Sequence, residues 1–208
     1  GHGSIADLGH VIICFEQISE LAAIRLEDEP LWDGQAKSSR YQNFASTSWF
    51  VPDTIRGQET EATYLGILRG LATVYRALHE PLSQHLTERE PRPEDMTPAA
   101  YQRAIAARAF DVTRYLLPLA AQTHVGQVVS IRTLEKQITR LLSSQLPELR
   151  LLGEELQEAC RKPPVNLWGE LSGQAAGLGE PMAPTLARYA KPNLYQAEVY
   201  SDLARYAK

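Results

Sequence analysis

At 208 residues, with 44% hydrophobic and 22% charged side chains, the chain is long enough for one domain with a buried core, and its composition is not that of a disordered polypeptide. No apolar run reaches the length a bilayer demands. A formal net charge of -4 argues against general nucleic-acid binding while leaving room for a local basic pocket around a phosphate.

The chain opens on Gly1-His2-Gly3-Ser4, which is neither an initiator methionine nor a signal peptide. It reads as the start of a piece of a longer product or as a tag scar. From Ile5 to Leu26 most positions are apolar, with Ile12, Phe15, Ile18, Leu21 and Ala22 at helical spacing, so a long buried helix is expected there. Asp28-Glu29-Pro30 ends it, and a polar loop spans roughly Pro30 to Ser48, with Asp33-Gly34 as a turn pair. Ser48 to Val51 suits a short strand closed by Pro52.

A second helix carries Tyr64, Leu68, Leu71, Tyr75 and Leu78 on one face and is expected to end near Pro81. Thr87 to Pro98, rich in proline and charge, reads as an exposed connection. Thr97 before Pro98 has the form of an N-cap followed by proline at the first helical position, opening a helix through Tyr101, Ile105 and Phe110. Leu116-Leu117-Pro118-Leu119 breaks that helix, and Val125 to Val129 is a short β-branched stretch. Ile131, Leu134, Ile138 and Leu141 mark one amphipathic helix, and Leu149, Leu152, Leu156 and Cys160 the next. After Pro163-Pro164 the composition shifts to Gly, Ala and Pro until a last helix near Tyr195 to Tyr206. The fold class is a helix-rich α/β (α+β) chain with a small sheet.

Cys14 and Cys160 both fall on what read as apolar helix faces, without a CxxC pair, and are expected to be buried free thiols of a reducing, cytoplasmic compartment. His10, His79, His85 and His124 have no second ligand at metal spacing, which favours structural or surface roles and no metal site.

Three patches carry candidate chemistry. In Gly1 to Asp7 the plain alternative is a helix start capped by Ser4, with Asp7 as the capping-box acid. Gln35-Ala36-Lys37-Ser38-Ser39-Arg40-Tyr41 offers hydroxyls, an amide and cations, and a guanidinium fork suits phosphate; a solvated polar loop is the competing reading. Arg114 to Leu119, followed by Ser130-Ile131-Arg132-Thr133-Leu134, places arginines beside apolar runs, where each needs an anionic or aromatic partner.

The order and spacing of these patches resemble the flavin-dependent thymidylate synthase family, which shows a G-H-x-S-like opening, a loop ending S-x-R-Y, then R-x-x-L-P-L and N-A-R-[ST]-L. The resemblance covers most of the chain to about Arg150 and continues weakly to Pro184-Thr185-Leu186. It implies that fold over one domain, residues 1–208, without its opening strand. It also implies reductive methylation of deoxyuridylate with methylenetetrahydrofolate, FAD and NADPH. By the same resemblance Gln35, Ser38, Arg40 and Arg114 bind the nucleotide, while Ser130, Arg132 and His2 face the flavin. The family arginine after N-A-R aligns at Leu141, with Arg140 beside it as the catalytic candidate.

The departures are specific. Asp28-Glu29-Pro30 stands where the family has R-H-R, Asp7-Leu8 where it has E-H, Asp33 for the loop serine, Ala36 for the loop glutamate, and Ser130 for the asparagine. This pattern looks like the first half of double-length members. Three functions stay open: the enzyme, a catalytically degenerate nucleotide-binding or assembly domain, and a related pyrimidine C5-alkylating flavoenzyme. The resemblance implies a homotetramer or pairing with a second family domain.

Overall fold

The computed structural model describes residues 4–164 and 181–206, and His2 and the stretch 165–180, within the part expected to shift toward Gly and Ala, lie outside them. Three strands, β1 (His10–Ser19), β2 (Asp33–Ala36) and β3 (Gln122–Ser130), form a sheet in the order β1-β3-β2. The helices are α1 (Glu20–Glu27), α2 (Thr60–Arg89), α3 (Pro98–Thr113), α4 (Ile131–Leu142), α5 (Pro147–Ala159), α6 (Pro184–Tyr189) and α7 (Leu194–Tyr206). The expected mixed, helix-rich class with a small sheet is what the chain adopts. No described helix is long and apolar enough to cross a membrane.

The expected helix over Ile5 to Leu26 is instead a strand followed by a short helix. Burial alternates along β1 as far as Phe15, which is the period of a pleat and not of a helix. The run Val11-Ile12-Ile13 is β-branched and suits that conformation. Ile12 is 77% exposed and Cys14 is exposed too, so the expected burial of both is corrected. Strand becomes helix at Ser19, whose buried hydroxyl accepts from the Ala22 N–H at 3.0 Å.

The strand β1 carries a bulge. Gly9 O accepts from Ile131 N at one end and Ala121 O from Glu20 N at the other, so β1 holds one more residue than the antiparallel stretch of β3 opposite. The extra residue is marked by Gln17, the one described non-glycine residue at positive φ, +57°. Its N–H donates to His124 Nδ1 at 3.3 Å.

The chain divides into two compact units. The first comprises Gly1–Ile13, Leu26–Gly34 and Gln127–Lys208. Its core lies where α4 meets α5 and α6, through Leu134, Ile138, Leu141, Leu149, Leu156 and Leu186, all buried. The periodic faces read in the sequence for α4 and α5 are these buried faces. Gly153 of α5 is a close-approach point, since a Cβ there would meet Leu141 Cβ and Leu142 Cγ at 3.1 Å. The buried amides of Gln127 and Gln137 bond reciprocally, at 3.0 and 3.2 Å, and tie β3 to α4.

The second unit comprises Cys14–Arg25 and Gln35–Gly126. Here α2 and α3 pack through Leu86, Tyr101, Ile105 and Ala109, and Phe44, Tyr75 and Ala121 form a further cluster. The cap read at Thr97 is present, its side chain accepting from Ala100 N at 3.3 Å. By contrast α2 runs through Pro81 to Arg89 and does not stop at the proline. Proline there removes an N–H from the helix ladder, a cost that the flanking turns of a long helix absorb. The expected loop before Ser48 contains β2, with Asp33-Gly34 inside it, and the expected strand near Trp49 is a single antiparallel bridge to Ala121.

Candidate functional site

The second unit brings together two of the arginines singled out in the sequence. Arg40 lies in the loop after β2, where the Ser38 hydroxyl accepts from the Arg40 N–H at 3.3 Å and the Ser38 carbonyl accepts from Tyr41 and Gln42. Arg114 lies at the end of α3, in a 3-10 turn that interrupts the helix before Pro118. Both guanidiniums converge on Asp111 Oδ1, Arg114 through Nε at 3.0 Å and Arg40 through Nε at 3.5 Å.

Arginine has two donor edges. Asp111 engages these two side chains at Nε, and among the described residues no further protein acceptor takes their terminal nitrogens. Two forks are therefore clustered by one carboxylate with their outer donors open, an arrangement that suits an anion. A cleft of about 370 Å³ lies here, lined by Glu20, Ile24, Ser39, Arg114, Tyr115, Leu117 and Leu119. Tyr115 is 80% exposed, with the Arg114 guanidinium 5.3 Å from its ring centroid, which leaves an aromatic face beside the arginines. Gln35 sits in β2 and is exposed, with no side-chain bond to this group.

The first unit holds the remaining candidates. A pocket of about 260 Å³ is lined by Asp7, His10, Leu31, Trp32, Asp33, Val128, Val129, Ser130 and Thr133. Ser130 is the N-cap of α4: its hydroxyl accepts from Thr133 N at 3.2 Å and bonds Thr133 Oγ1 at 3.1 Å. Arg132, the second residue of α4, donates through Nη1 to Asp7 Oδ2 at 2.7 Å. Ser4 makes no side-chain cap and Asp7 serves no capping box, so that plain reading of the opening is corrected. Gly9 lets the segment carrying Asp7 approach α4, since its carbonyl accepts from Ile131 N at 2.9 Å and a Cβ would meet Ile131 Cδ1 at 2.7 Å.

Arg140 lies 3.5 Å from Glu29 Oε2, and Glu29 is only 8% exposed. Glu29 is one of the acids standing where the resemblance places cations. Arg140 is thereby held in a partly buried ion pair within the first unit.

Sequence reasoning missed Asp111 and Trp32, and it marked Ser39, Tyr115 and Asp7 only as members of candidate patches, without a site role for any of them. Asp111 had a signal, because Asp at i and Arg at i+3 on a helix end are neighbours. Asp7 and Arg132 are 125 residues apart, and no local spacing announces such a pair. Among the described residues no group of three or more His, Cys, Asp or Glu side chains is arranged to hold a metal.

A family model described as thymidylate synthase complementing protein matches residues 1–163. Two curated relatives, both named UPF0159 protein, match over 161 residues, at 27% identity in Chlamydia muridarum (strain MoPn / Nigg) and 28% in Chlamydia pneumoniae. The alignment takes in 74% of this chain and 30% of either relative, so the chain spans about a third of their length. Among solved structures, a UMP/dUMP methylase, PolB, of Streptomyces cacaoi bound with 5-Br dUMP is similar at TM-score 0.50 and 14% identity, covering 90% of this chain and 74% of that one. Thymidylate synthase X of Helicobacter pylori with FAD and dUMP gives TM-score 0.48 and 19% identity, covering 76% and 70%.

Proposed function

The chain belongs to the thymidylate synthase complementing protein family, and from that premise we propose that it is a uracil-nucleotide-binding domain serving the methylation of deoxyuridylate to thymidylate. The observation that carries this reading is the pair Arg40 and Arg114, drawn together on Asp111 beside a cleft lined by Ser39 and Tyr115. A nucleotide monophosphate is a dianion and favours converging guanidinium forks with hydroxyls completing the shell. Ser38 and Ser39 supply the hydroxyls, and the open face of Tyr115 suits a flat pyrimidine ring.

The cofactor side is different. FAD carries a pyrophosphate, and a pocket for it calls for cations or free backbone donors. The first-unit pocket is lined by the carboxylates of Asp7 and Asp33 and by no lysine or arginine. Its nearest candidate cation, Arg132, is held by Asp7, and Arg140 is held by Glu29. This donor set does not fit a pyrophosphate-bearing flavin.

The full reductive reaction, with methylenetetrahydrofolate and NADPH as co-substrates, therefore depends on residues from a second copy or a paired family domain. This chain contributes the nucleotide end. The degenerate, nucleotide-holding reading is favoured over the self-sufficient enzyme by the carboxylate on each arginine assigned to the flavin and to catalysis.

The test is calorimetric titration with dUMP and with deoxyuridine, which lacks the phosphate. Binding of dUMP and little or none of deoxyuridine is the expected result. Equal affinities, or no heat with dUMP, would remove the nucleotide-binding assignment.

A further inference from the structure

We infer that Asp7 is an intrachain anion that occupies Arg132 and so sets the first-unit pocket against anionic occupants. Asp7 both lines that pocket and holds the Arg132 guanidinium through Nη1 at 2.7 Å, so any phosphate or pyrophosphate seeking Arg132 must compete with a carboxylate that the chain itself supplies. A tethered competitor is present at high effective concentration and does not dilute away.

Three surroundings reinforce the effect. The carbonyl of Gly9 accepts from Ile131 N, which anchors the segment carrying Asp7 to the first turn of α4. Asp33 lines the same pocket and adds a like charge against an incoming anion. Ser130, whose hydroxyl would otherwise be a neutral donor, donates to Thr133 Oγ1 while its oxygen caps α4. What remains open in the lining is Trp32, His10 and apolar surface from Leu31, Val128 and Val129, which suits an uncharged ring better than a phosphate.

The pair is half exposed, with the two side chains 47% and 46% accessible, so it is a competitor that can be displaced and not a buried lock. The inference takes only the choice of probe anion, FAD, from the family; it concerns a different unit from the nucleotide cleft, and the dUMP titration reports on that cleft separately.

The experiment measures FAD and riboflavin binding by flavin fluorescence at low salt, for the wild-type chain, Asp7→Asn, Asp7→Glu and the double variant Asp7→Asn/Arg132→Gln. Riboflavin has the same ring system without phosphate. Asp7→Asn is expected to bind FAD at least about fivefold more tightly than wild type, equivalent to roughly 1 kcal/mol. Riboflavin binding should be unchanged, Asp7→Glu should resemble wild type, and the gain should vanish in the double variant and shrink as salt is raised. The inference is overturned if Asp7→Asn gains nothing for FAD, including the case in which neither protein binds it. An equal gain for riboflavin overturns it too, because the effect would then be one of space and not of charge, and so does a gain that survives Arg132→Gln, because Asp7 would then act by direct repulsion and not through Arg132. Melting curves of all variants confirm that each is folded.

Discussion

The side-chain amides of Gln127 and Gln137 are both fully buried and pair in both directions, each donating to the other's carbonyl oxygen. Such a pair is neutral when complete and costly when halved, because a buried amide left alone forfeits its water without replacement. Gln127→Leu or Gln137→Leu alone should lower stability by about 1–3 kcal/mol. The double substitution should cost clearly less than the two added together. Chemical denaturation of the four proteins measures the difference, and strict additivity would show that the amides do not act as a unit.

Arg114 is the more enclosed of the two arginines proposed to hold the nucleotide, with a side chain 28% exposed against 58% for Arg40. Its loss should therefore weaken dUMP binding more. Arg114→Ala is expected to reduce affinity by roughly tenfold to a hundredfold, in line with about 1.5–3 kcal/mol for a charged hydrogen bond, and Arg40→Ala by less. Arg114→Lys should recover only part, since an ammonium lacks the second donor edge. Calorimetry on the three variants decides the order.

Gln17 holds φ at +57°, a conformation that glycine adopts without penalty and other residues resist. Gln17→Gly should raise stability by about 1 kcal/mol, less the entropy the more flexible unfolded chain gains. Gln17→Val should lower it, because a β-branched side chain tolerates this region worst. Thermal melts of both settle the sign, and a destabilised glycine variant would mean that the Gln17 side chain matters more than its backbone.

Burial pushes the Cys160 thiol up to about 11, from an ordinary value near 9, with the neighbouring Arg161 opposing the shift only weakly. The unfolded chain then releases this proton at lower pH than the folded one. The stabilising contribution is whole below about pH 9 and is lost as pH rises toward about 11. Cys160→Ala should flatten that part of the pH dependence in melts between those limits. In the native protein at pH 8, iodoacetamide should label exposed Cys14 and spare Cys160.

Legibility followed the range of the interaction. The faces of α4 and α5 and the Thr97 cap could be read because each is decided within a few residues, by 3.6-residue period and by a hydroxyl before proline. The run Val11 to Phe15 could not, because a short apolar stretch suits either a buried helix or a strand, and only pairing with β3 decides. Arg40, Arg114 and Arg132 were found as positions worth watching. Their carboxylate partners were not: Asp111 was overlooked although it stands three residues before Arg114, and Asp7 and Glu29 meet Arg132 and Arg140 only through the fold.

The two compact units are woven from five alternating stretches of chain, three in one and two in the other. A contiguous stretch of gene therefore never encodes either unit alone. Recombination, duplication or fusion can move both together but cannot trade one for a better version. The arginine cleft and the acid-lined pocket are inherited as a linked pair, so a change that adapts one must be tolerated by the other in the same protein.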